Sequence, residues 1–353
     1  MTRRIPTVVL GGTGYVAGEL LRLIAGHPNF ELAGVLSDSQ PGEPVAGAFG
    51  HLASAYPTAR FNSAVQIEEI VAGEPYTAIF SAAPHGTAAA LIDRLLHCAD
   101  TSGRTAHVVD MSADFRFRTA AAYEAVYHHA HGAPGRLDAF TCAVPEHLKA
   151  APTPHVAHPG CFATATLLAA VPLLAREITH GPLFVSAVTG STGSGRKPIE
   201  ATHHPARHSD LYAYSALAHR HAPEIRACAA QATGVKAQFA FVPHSGPFAR
   251  GIHATVQASL RAPTDTAAVL EALHAFYVDA PFVRISETAP RVKEVATSNY
   301  ATLSAVSDGH TVAVFCVLDN LNKGAAGGAV QWMNRLYALP ETAGLTAPAP
   351  GWT

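Results

Sequence analysis

A glycine-rich turn between a short apolar run and a helical pattern is the feature that most constrains this chain. The run Val8–Leu10 predicts a buried strand, and Gly11-Gly12-Thr13-Gly14-Tyr15-Val16-Ala17-Gly18 follows it directly. At this position the N–H groups of a helix N-terminus can meet the pyrophosphate of a dinucleotide. Gly11 allows the tight turn, Gly14 lets the backbone approach phosphate, and Ala17 permits close helix–strand packing. The spacing G-x-x-G-x-x-A departs from G-x-G-x-x-G, so a plain glycine turn is the alternative.

The first half continues with strands and helices in alternation. Strands are predicted at Leu32–Ser37, Ala78–Ser81 and His107–Asp110, with a helix through Leu91–His97. This rhythm is typical of a parallel sheet with helices on both faces. It predicts an α/β fold with a Rossmann-type dinucleotide-binding domain.

After about residue 158 strand-like stretches dominate. A helix is predicted over Ala163–Leu174, ending around Pro172, and another over Thr266–Tyr277. The predicted strands are Leu183–Val188, Phe239–Val242, His253–Leu260 and Thr311–Leu318. This pattern predicts an α+β domain with a largely antiparallel sheet. Because Ala325–Leu336 is helical again, we expect residues 1–158 and 320–353 to form the dinucleotide-binding domain and residues 159–319 the catalytic and dimerisation domain.

The composition excludes several classes of protein. The 353 residues are 48% hydrophobic and carry a net charge of −2, which offers no footprint for nucleic acid or an anionic membrane. No apolar run reaches the roughly 18 residues of a membrane helix, and the N-terminus lacks a signal-peptide pattern. The five cysteines contain no CxxC pair. We therefore expect a cytoplasmic protein without a disulfide framework.

Histidine is plentiful, with 21 residues, many of them in pairs or runs such as His128-His129-Ala130-His131. A metal site needs two histidines four residues apart on a helix and a third ligand, and the spacings of these histidines do not match that pattern cleanly. We predict no metal and assign most histidines to loops and the surface.

One cysteine has the setting of a nucleophile. Cys161 follows the turn Pro159-Gly160 and opens a predicted helix. The unpaired N–H groups of a helix N-terminus favour the thiolate, which is the reactive form. A buried structural role is the alternative, and it is our interpretation for the remaining cysteines, Cys98, Cys142, Cys228 and Cys316.

The best candidate for a base lies in His219-Arg220-His221-Ala222-Pro223-Glu224, at another predicted helix start. A dinucleotide fold, an activated cysteine and a base together describe a thiol-dependent oxidoreductase of aldehydes or acyl phosphates. The end of the second strand, Ser37-Asp38-Ser39, leaves the dinucleotide open, because Asp38 favours NAD whereas Ser37 and Ser39 can bind a 2′-phosphate.

These motifs resemble those of the N-acetyl-γ-glutamyl-phosphate reductase family, from Gly11 to about Gly344. The specific ones are His158-Pro159-Gly160-Cys161, His219-Arg220-His221-Ala222-Pro223-Glu224 and Asn320-Leu321-Asn322-Lys323-Gly324-Ala325, in this order. Supporting matches are Ala83-Pro84-His85-Gly86, Asp110-Met111-Ser112-Ala113-Asp114-Phe115-Arg116, Val144-Pro145-Glu146, Thr189-Gly190-Ser191-Thr192-Gly193-Ser194-Gly195-Arg196 and Arg250-Gly251-Ile252.

The resemblance implies NADPH-dependent reduction of a small-molecule acyl phosphate in arginine biosynthesis, by a homodimer or homotetramer. Cys161 is the implied nucleophile, and His219, or alternatively His221, is the implied acid/base. The residues implied for the cofactor are Gly11, Thr13, Gly14, Tyr15, Val16, Ser37, Ser39, Pro84, Gly193 and Asn320. Those implied for the substrate are Arg116, Arg196 and Glu224. A structural ion pair is the alternative for either arginine, and a helix cap is the alternative for Asn320.

Some residues depart from the family pattern. His158 replaces the expected Asn or small residue, and Asp38 stands where many members carry Arg. The segment 201–208 resembles the branch that reduces the homologous aminoadipate phosphate, sometimes on a carrier protein. Aspartate-semialdehyde dehydrogenase shares the chemistry and is a further alternative. A non-catalytic dinucleotide sensor is the alternative of a different class, but a sensor needs neither Cys161 nor His219.

Overall fold

The computed structural model describes residues 4–352, which form two compact units. Within these residues, unit 1 comprises 4–142, 150–158 and 326–346, and unit 2 comprises 143–149, 159–325 and 347–352. The predicted domain ends at residues 1–3 and 353 lie outside the described residues.

Strands and helices alternate in the first part of the chain, and strands predominate in the second part. The strands are β1 Ile5–Leu10, β2 Phe30–Val35, β3 Tyr76–Ser81, β4 Thr105–Asp110, β5 Phe140–Cys142, β6 His155–Ala157, β7 Thr179–Thr189, β8 Tyr212–Ala213, β9 Phe239–Ser245, β10 Ile252–Thr264, β11 Val283–Ile285, β12 Ala301–Ser307 and β13 Gly309–Leu318. The helices are α1 Tyr15–Ala25, α2 Val45–Ala48, α3 Ala64–Gly73, α4 Ala88–Thr101, α5 Ala120–Tyr127, α6 Cys161–Ala175, α7 His204–Arg207, α8 His221–Thr233, α9 Thr266–Phe276 and α10 Gly327–Leu336.

Unit 1 is built on a six-stranded sheet of order β2-β1-β3-β4-β6-β5, in which every neighbouring pair is parallel. The strand order reverses between β1 and β3, so the turns that follow these two strands lie side by side. A crevice of this kind, at the carboxyl ends of the strands, is where parallel sheets bind ligands.

The two faces of this sheet are covered by helices whose apolar sides are buried. Ile67 and Val71 of α3 and Ile92 of α4 belong to one hydrophobic core together with Val8 of β1. The C-terminal helix α10 returns to this unit and packs against α1 and β4. Immediately after it, Tyr337 places its ring edge-on to Phe30 of β2, at 6.2 Å between centroids.

Unit 2 contains a seven-stranded mixed sheet of order β11-β12-β13-β10-β7-β9-β8. Four of its six neighbouring pairs are antiparallel, and β7–β9 and β11–β12 are parallel. Helix α6 packs against β7, β10 and β13, and it also contacts α8 and α9.

Helix α6 passes through a proline instead of ending there. Pro172 lies inside the helix, which continues to Ala175 and therefore corrects the expected end near Pro172. Proline has no N–H to donate to the carbonyl of Leu168 four residues earlier. The hydroxyl of Tyr277 donates to that carbonyl at 2.7 Å. A side chain more than a hundred residues away thus replaces the missing helical hydrogen bond.

The predicted fold class is confirmed, with a parallel sheet in the first unit and a mostly antiparallel mixed sheet in the second. The unit boundaries differ in detail from the predicted ranges, because 143–149, 320–325 and 347–352 cluster with unit 2. The functional roles of the two ranges stay predictions. Strand β12 and helix α3 had no counterpart in the sequence prediction.

Candidate active site

Cys161 is the first residue of α6, and its half-buried side chain lies at the positive end of the helix. Gly160 is the N-cap in an extended conformation, and its carbonyl accepts from the backbone N of Thr164 at 2.8 Å. The N-cap residue Gly160 has no side chain with which to cap this N-terminus, and Cys161 is the first residue exposed to the field of its N–H dipoles. The thiolate is stabilised by this field.

Gly324 lies directly against Cys161. A Cβ on Gly324 would stand 3.1 Å from the Cα of Cys161 and 2.7 Å from its Cβ, and the second distance is closer than side chains approach. Gly324 lies in a π-helical segment, Asn322–Ala326, of the kind that often occurs at functional sites. Glycine at 324 is therefore required for the observed position of the thiol.

Glu224 holds the turn that precedes the cysteine. Its side chain is fully buried in the first turn of α8, and Oε1 accepts from the backbone N of Gly160 at 2.6 Å. The expected contact of Glu224 with substrate stays a prediction, whereas the contact observed is with the protein backbone. Sequence reasoning missed this positioning role, because nothing local connects two residues 64 positions apart.

His219 is buried beside the start of α8, and its hydrogen bonding identifies its neutral tautomer. Its Nδ1 accepts from the backbone N of His221 at 3.1 Å, so the proton of the neutral ring resides on Nε2. Burial, and secondarily the charge of Arg220, lower the pKa of His219 to about 4. At neutral pH this imidazole is a hydrogen-bond donor through Nε2, and a protonated ring is disfavoured.

The second residue of α6 connects the cysteine to both histidines. The ring of Phe162 lies 5.9 Å from that of His219 and 6.3 Å from that of His221, between centroids. His221 is the first residue of α8 and is also buried. Cys161, His219, Glu224 and Gly324, here called the thiol site, thus belong to one unit.

Tyr214 is a neighbour of this site that no sequence signal indicated. Its ring lies 5.5 Å from that of His219 between centroids. Burial raises the pKa of Tyr214 well above its usual value, and negative charge on Cys161 adds to this shift. Its phenol therefore remains protonated and able to donate a hydrogen bond near the thiol site.

Asn320 ties together the segments that carry the second glycine-rich motif. Its Oδ1 accepts from the backbone N of Gly251 at 2.7 Å, and its Nδ2 donates to Oγ1 of Thr192 at 3.0 Å. The helix-cap alternative for Asn320 is wrong, because the carboxylate of Asp319 accepts from the N–H groups of Leu321 and Asn322. The predicted cofactor contact of Asn320 stays a prediction.

The other two predicted residues of this region are exposed. Gly193 lies in the 3₁₀ turn Ser191–Ser194, where an added Cβ would meet Oγ1 of Thr189 at 3.3 Å. Arg196 follows the turn in an exposed loop. Their predicted roles toward cofactor and substrate stay predictions.

In unit 1 the first glycine-rich turn has the geometry of an anion cradle. Gly11 has φ +75°, and a Cβ there would stand 2.5 Å from the carbonyl oxygen of Ala82, in the turn after β3. Gly14 is the N-cap of α1, and a Cβ on it would meet only the oxygen of Gly11, at 3.7 Å. Ala17 is fully buried against the sheet. One side of the turn is thus packed, and the other leaves the backbone open to a phosphate.

The remaining cofactor candidates of unit 1 flank this turn. Thr13 and Val16 are half-buried, whereas Tyr15 is exposed at the start of α1. Ser37 is buried after β2, and its Oγ accepts from the backbone N of Gln40, whereas Ser39 is exposed. Pro84 is exposed in the turn after β3.

The side chain of Arg116 donates hydrogen bonds to the backbone of unit 1. Its guanidinium is buried, and it donates to the carbonyls of His158 at 3.1 Å and Met111 at 2.8 Å. These contacts hold the turn after β4 to the last residue of the unit's middle segment. A substrate contact of Arg116 and the alternative of a structural ion pair both stay predictions.

Asp114, which sequence reasoning did not select, organises the neighbouring turn. Its carboxylate accepts from the backbone N of Gly86 at 2.8 Å and of Ala89 at 3.0 Å, and from the hydroxyl of Tyr123 at 3.1 Å. A hydrogen bond from the backbone of Gly86 to the side chain of Asp114 therefore connects the motifs Ala83–Gly86 and Asp110–Arg116.

Within residues 4–352, no group of three or more His, Cys, Asp or Glu side chains is arranged to hold a metal ion. None of the five cysteines forms a disulfide; Cys228 and Cys316 are buried as expected, and Cys98 and Cys142 are half-buried. No helix in the described part of the chain is long and apolar enough to cross a membrane.

Comparison with known proteins covers both units. Residues 7–159 match the semialdehyde dehydrogenase NAD binding domain, and residues 161–320 match the semialdehyde dehydrogenase dimerisation domain. Among solved structures, aspartate semialdehyde dehydrogenase II from Vibrio cholerae, complexed with ASA, superposes with a TM-score of 0.66. It is 15% identical and covers 96% of this chain and 99% of its own, and so it supports the fold alone.

Curated relatives match over almost the whole chain. An N-acetyl-gamma-glutamyl-phosphate reductase from Methanopyrus kandleri is 37% identical over 347 residues, which are 96% of this chain and 97% of the relative. One of the same name from Ectopseudomonas mendocina is 37% identical over 349 residues, with 97% and 98% covered. The resemblance inferred from the motifs is thereby confirmed. The chain belongs to the semialdehyde dehydrogenase family, among the N-acetyl-gamma-glutamyl-phosphate reductases.

Proposed function

We propose that this protein reduces N-acetyl-γ-glutamyl phosphate to N-acetylglutamate 5-semialdehyde with NADPH, in arginine biosynthesis, through a thioester on Cys161. The observation that carries the proposal is the thiol site, where a cysteine at a helix N-terminus shares one unit with the buried donor His219. The names and full-length similarity of the relatives supply the substrate.

The first half of the reaction uses the thiolate. Sγ of Cys161 attacks the acyl carbon, a C–S bond forms, and the C–O bond to the phosphoryl group breaks. Phosphate leaves and takes one proton from solvent. The field of α6 supports this step, because it stabilises the anionic nucleophile before attack.

The second half reduces the thioester and releases the product. When bound, NADPH supplies the hydride that adds to the carbonyl carbon. The resulting oxyanion expels the Cys161 thiolate as the C–S bond breaks, and the aldehyde forms without a further proton. His219 then needs only to donate a hydrogen bond from Nε2 to the developing oxyanion, which agrees with its neutral tautomer. We propose this donor role for His219, and the acid/base role expected from sequence stays a prediction.

The residues of unit 1 fit the proposed dinucleotide. Gly14 leaves the backbone at the start of α1 open, and the N–H groups of that helix are suited to a pyrophosphate. Preference for NADP over NAD is part of the proposal, because Ser39 is exposed beside Ser37 and can donate to a 2′-phosphate. Asp38, also exposed, opposes it by repulsion.

The proposal assigns unit 1 to the dinucleotide, and unit 2 to catalysis and to assembly as a homodimer or homotetramer in the cytoplasm. The assembly role is supported by the match to a dimerisation domain.

The test is a panel assayed in the reverse direction, with phosphate, NADP or NAD, and one of three semialdehydes. We expect the highest kcat/KM with N-acetylglutamate semialdehyde and NADP. A higher kcat/KM with the aminoadipate homologue or with aspartate semialdehyde would reassign the substrate. Cys161→Ser should abolish turnover with the fold intact, whereas Cys98→Ser, at a half-buried cysteine outside the thiol site, should retain it. Near-normal turnover by Cys161→Ser would remove the thioester mechanism.

A further inference from the structure

Arg207 is a buried cation of unit 2, and only one of its three guanidinium nitrogens donates a hydrogen bond to a described residue. Arg207 is the last residue of the short helix α7, and it is 8% exposed. Nη1 donates to the backbone oxygen of Asp210 at 3.0 Å. Nε and Nη2 are buried, and no acceptor among residues 4–352 reaches either of them.

The surroundings of Arg207 do not compensate its charge. It forms no ion pair with any described residue, and its guanidinium carbon lies 5.8 Å from the ring centroid of Tyr212. An aromatic face attracts a cation but offers no lone pair to two N–H donors. Burial of a cation without an anion is costly, so the site favours an incoming anion.

A cleft next to Arg207 has the composition that an anion requires. The cleft has a volume of about 320 Å³, and its polar lining comprises the side chains of Ser191, Thr202, His204, Arg207 and His208. The hydroxyl of Ser191 and the imidazole and guanidinium groups can donate hydrogen bonds to a ligand, whereas the hydroxyl of Thr202 already donates to the backbone oxygen of Ile199. No Asp or Glu among residues 4–352 lines the cleft. Nε and Nη2 form the edge of the guanidinium that binds two oxygens of one oxyanion side by side.

Within unit 2, one chain segment connects this cleft to Asn320 and another connects it to the thiol site. Ser191 precedes Thr192, which hydrogen-bonds Asn320. The second segment begins at Tyr212, whose ring lies beside Arg207. Two residues later comes Tyr214, whose ring lies next to those of Tyr212 and His219.

We propose that Arg207 binds an oxyanion of the substrate through Nε and Nη2 and so determines which acyl phosphates this enzyme accepts. The inference rests on the proposed function. The oxyanion is either the carboxylate of the acylamino acid or the phosphoryl group, which share this recognition chemistry.

The experiment compares Arg207→Gln and Arg207→Lys with wild type in the reverse reaction, varying semialdehyde and phosphate separately. Arg226→Gln, at an exposed arginine on α8, is the matched control. We expect Arg207→Gln to raise one of the two KM values by about 10- to 100-fold, the range of a lost charge-assisted pair, and Arg207→Lys to recover part of it. Arg207→Gln should unfold at or above the wild-type temperature, because the change removes a buried charge without an acidic partner.

The two titrations, of semialdehyde and of phosphate, identify which oxyanion Arg207 binds. A raised KM for semialdehyde alone assigns Arg207 to the carboxylate, and a raised KM for phosphate alone assigns it to the phosphoryl group. Unchanged KM values in folded Arg207→Gln would overturn the inference.

A wild-type enzyme that does not turn over the semialdehyde would refute the proposed function instead. The site is then tested by thermal stabilisation with N-acetylglutamate or inorganic phosphate. A shift that Arg207→Gln abolishes supports the site, and a shift of equal size in both proteins refutes it.

Discussion

Substitution of Gly324 by alanine tests whether close packing positions the nucleophile. The new Cβ would stand 2.7 Å from the Cβ of Cys161, about 0.7 Å inside the 3.4 Å at which ordinary contact begins. Its second neighbour is the Cα of the same residue, so the strain cannot be relieved by a rotamer change alone. Overpacking of this kind costs about 1–3 kcal/mol, partly offset by up to about 1 kcal/mol from the better helix propensity of alanine.

We therefore expect Gly324→Ala to lower the unfolding free energy by about 1–2 kcal/mol and kcat by about 100-fold, since displacements near 1 Å at a reacting centre have effects of that size. Thermal unfolding, reverse-direction kcat and the rate of thiol alkylation are the assays. Gly73→Ala is the control, because Gly73 ends α3 and no atom of residues 4–352 lies within 4 Å of its added Cβ. Wild-type kcat in Gly324→Ala would refute the positioning argument, even if the variant were less stable.

Three further predictions concern the thiol site and acid stability. His219→Ala should lower kcat by about 10²–10³-fold, whereas His219→Asn, which retains an N–H donor, should lose less; equal losses would favour acid/base catalysis. Glu224→Ala should lower the unfolding free energy by about 1–3 kcal/mol by leaving the N–H of Gly160 unmatched, and Glu224→Gln should retain most of the stability, as measured by urea unfolding. Burial lowers the pKa of His27, His147 and His155 to about 4, so protons bind the unfolded chain first and stability should fall as the pH drops from about 6.5 to 4. Asp110, whose pKa burial raises to about 6, opposes this trend below pH 6, and a melting temperature that rises on acidification would contradict the histidine argument.

The parts of the fold that sequence predicted are those specified locally. The turn Gly11–Gly14 and the helix start at Cys161 each depend on a few consecutive residues, and both were recognised. Strand β12 was missed because it is rich in Ala and Ser, which are poor strand formers; its stability comes from pairing with β13. The three-residue strands β5 and β6 are too short for any periodicity.

The thiol site was only partly predictable for a related reason. Cys161 and His219 carry their own local signals, but the contacts that position the cysteine come from Glu224 and Gly324. Such distant residues come together only in the folded chain. A single sequence does not show which of its distant residues are in contact. The same limit explains Pro172, whose tolerance depends on the hydroxyl of Tyr277.

The return of α10 to unit 1 has a consequence for synthesis of the protein on the ribosome. Strands β1 to β4 emerge first, but the helix that covers β4 and contacts α1 emerges only after all of unit 2 up to Ala325 has been made. Until then an apolar face of the first sheet stays uncovered, because the fully buried Trp332 and Met333 have not been translated. The continuous segment 159–325, which supplies most of unit 2, has been translated by then. The unit that emerges first therefore stays incomplete until almost the whole chain has been made, and premature termination before α10 exposes it to aggregation.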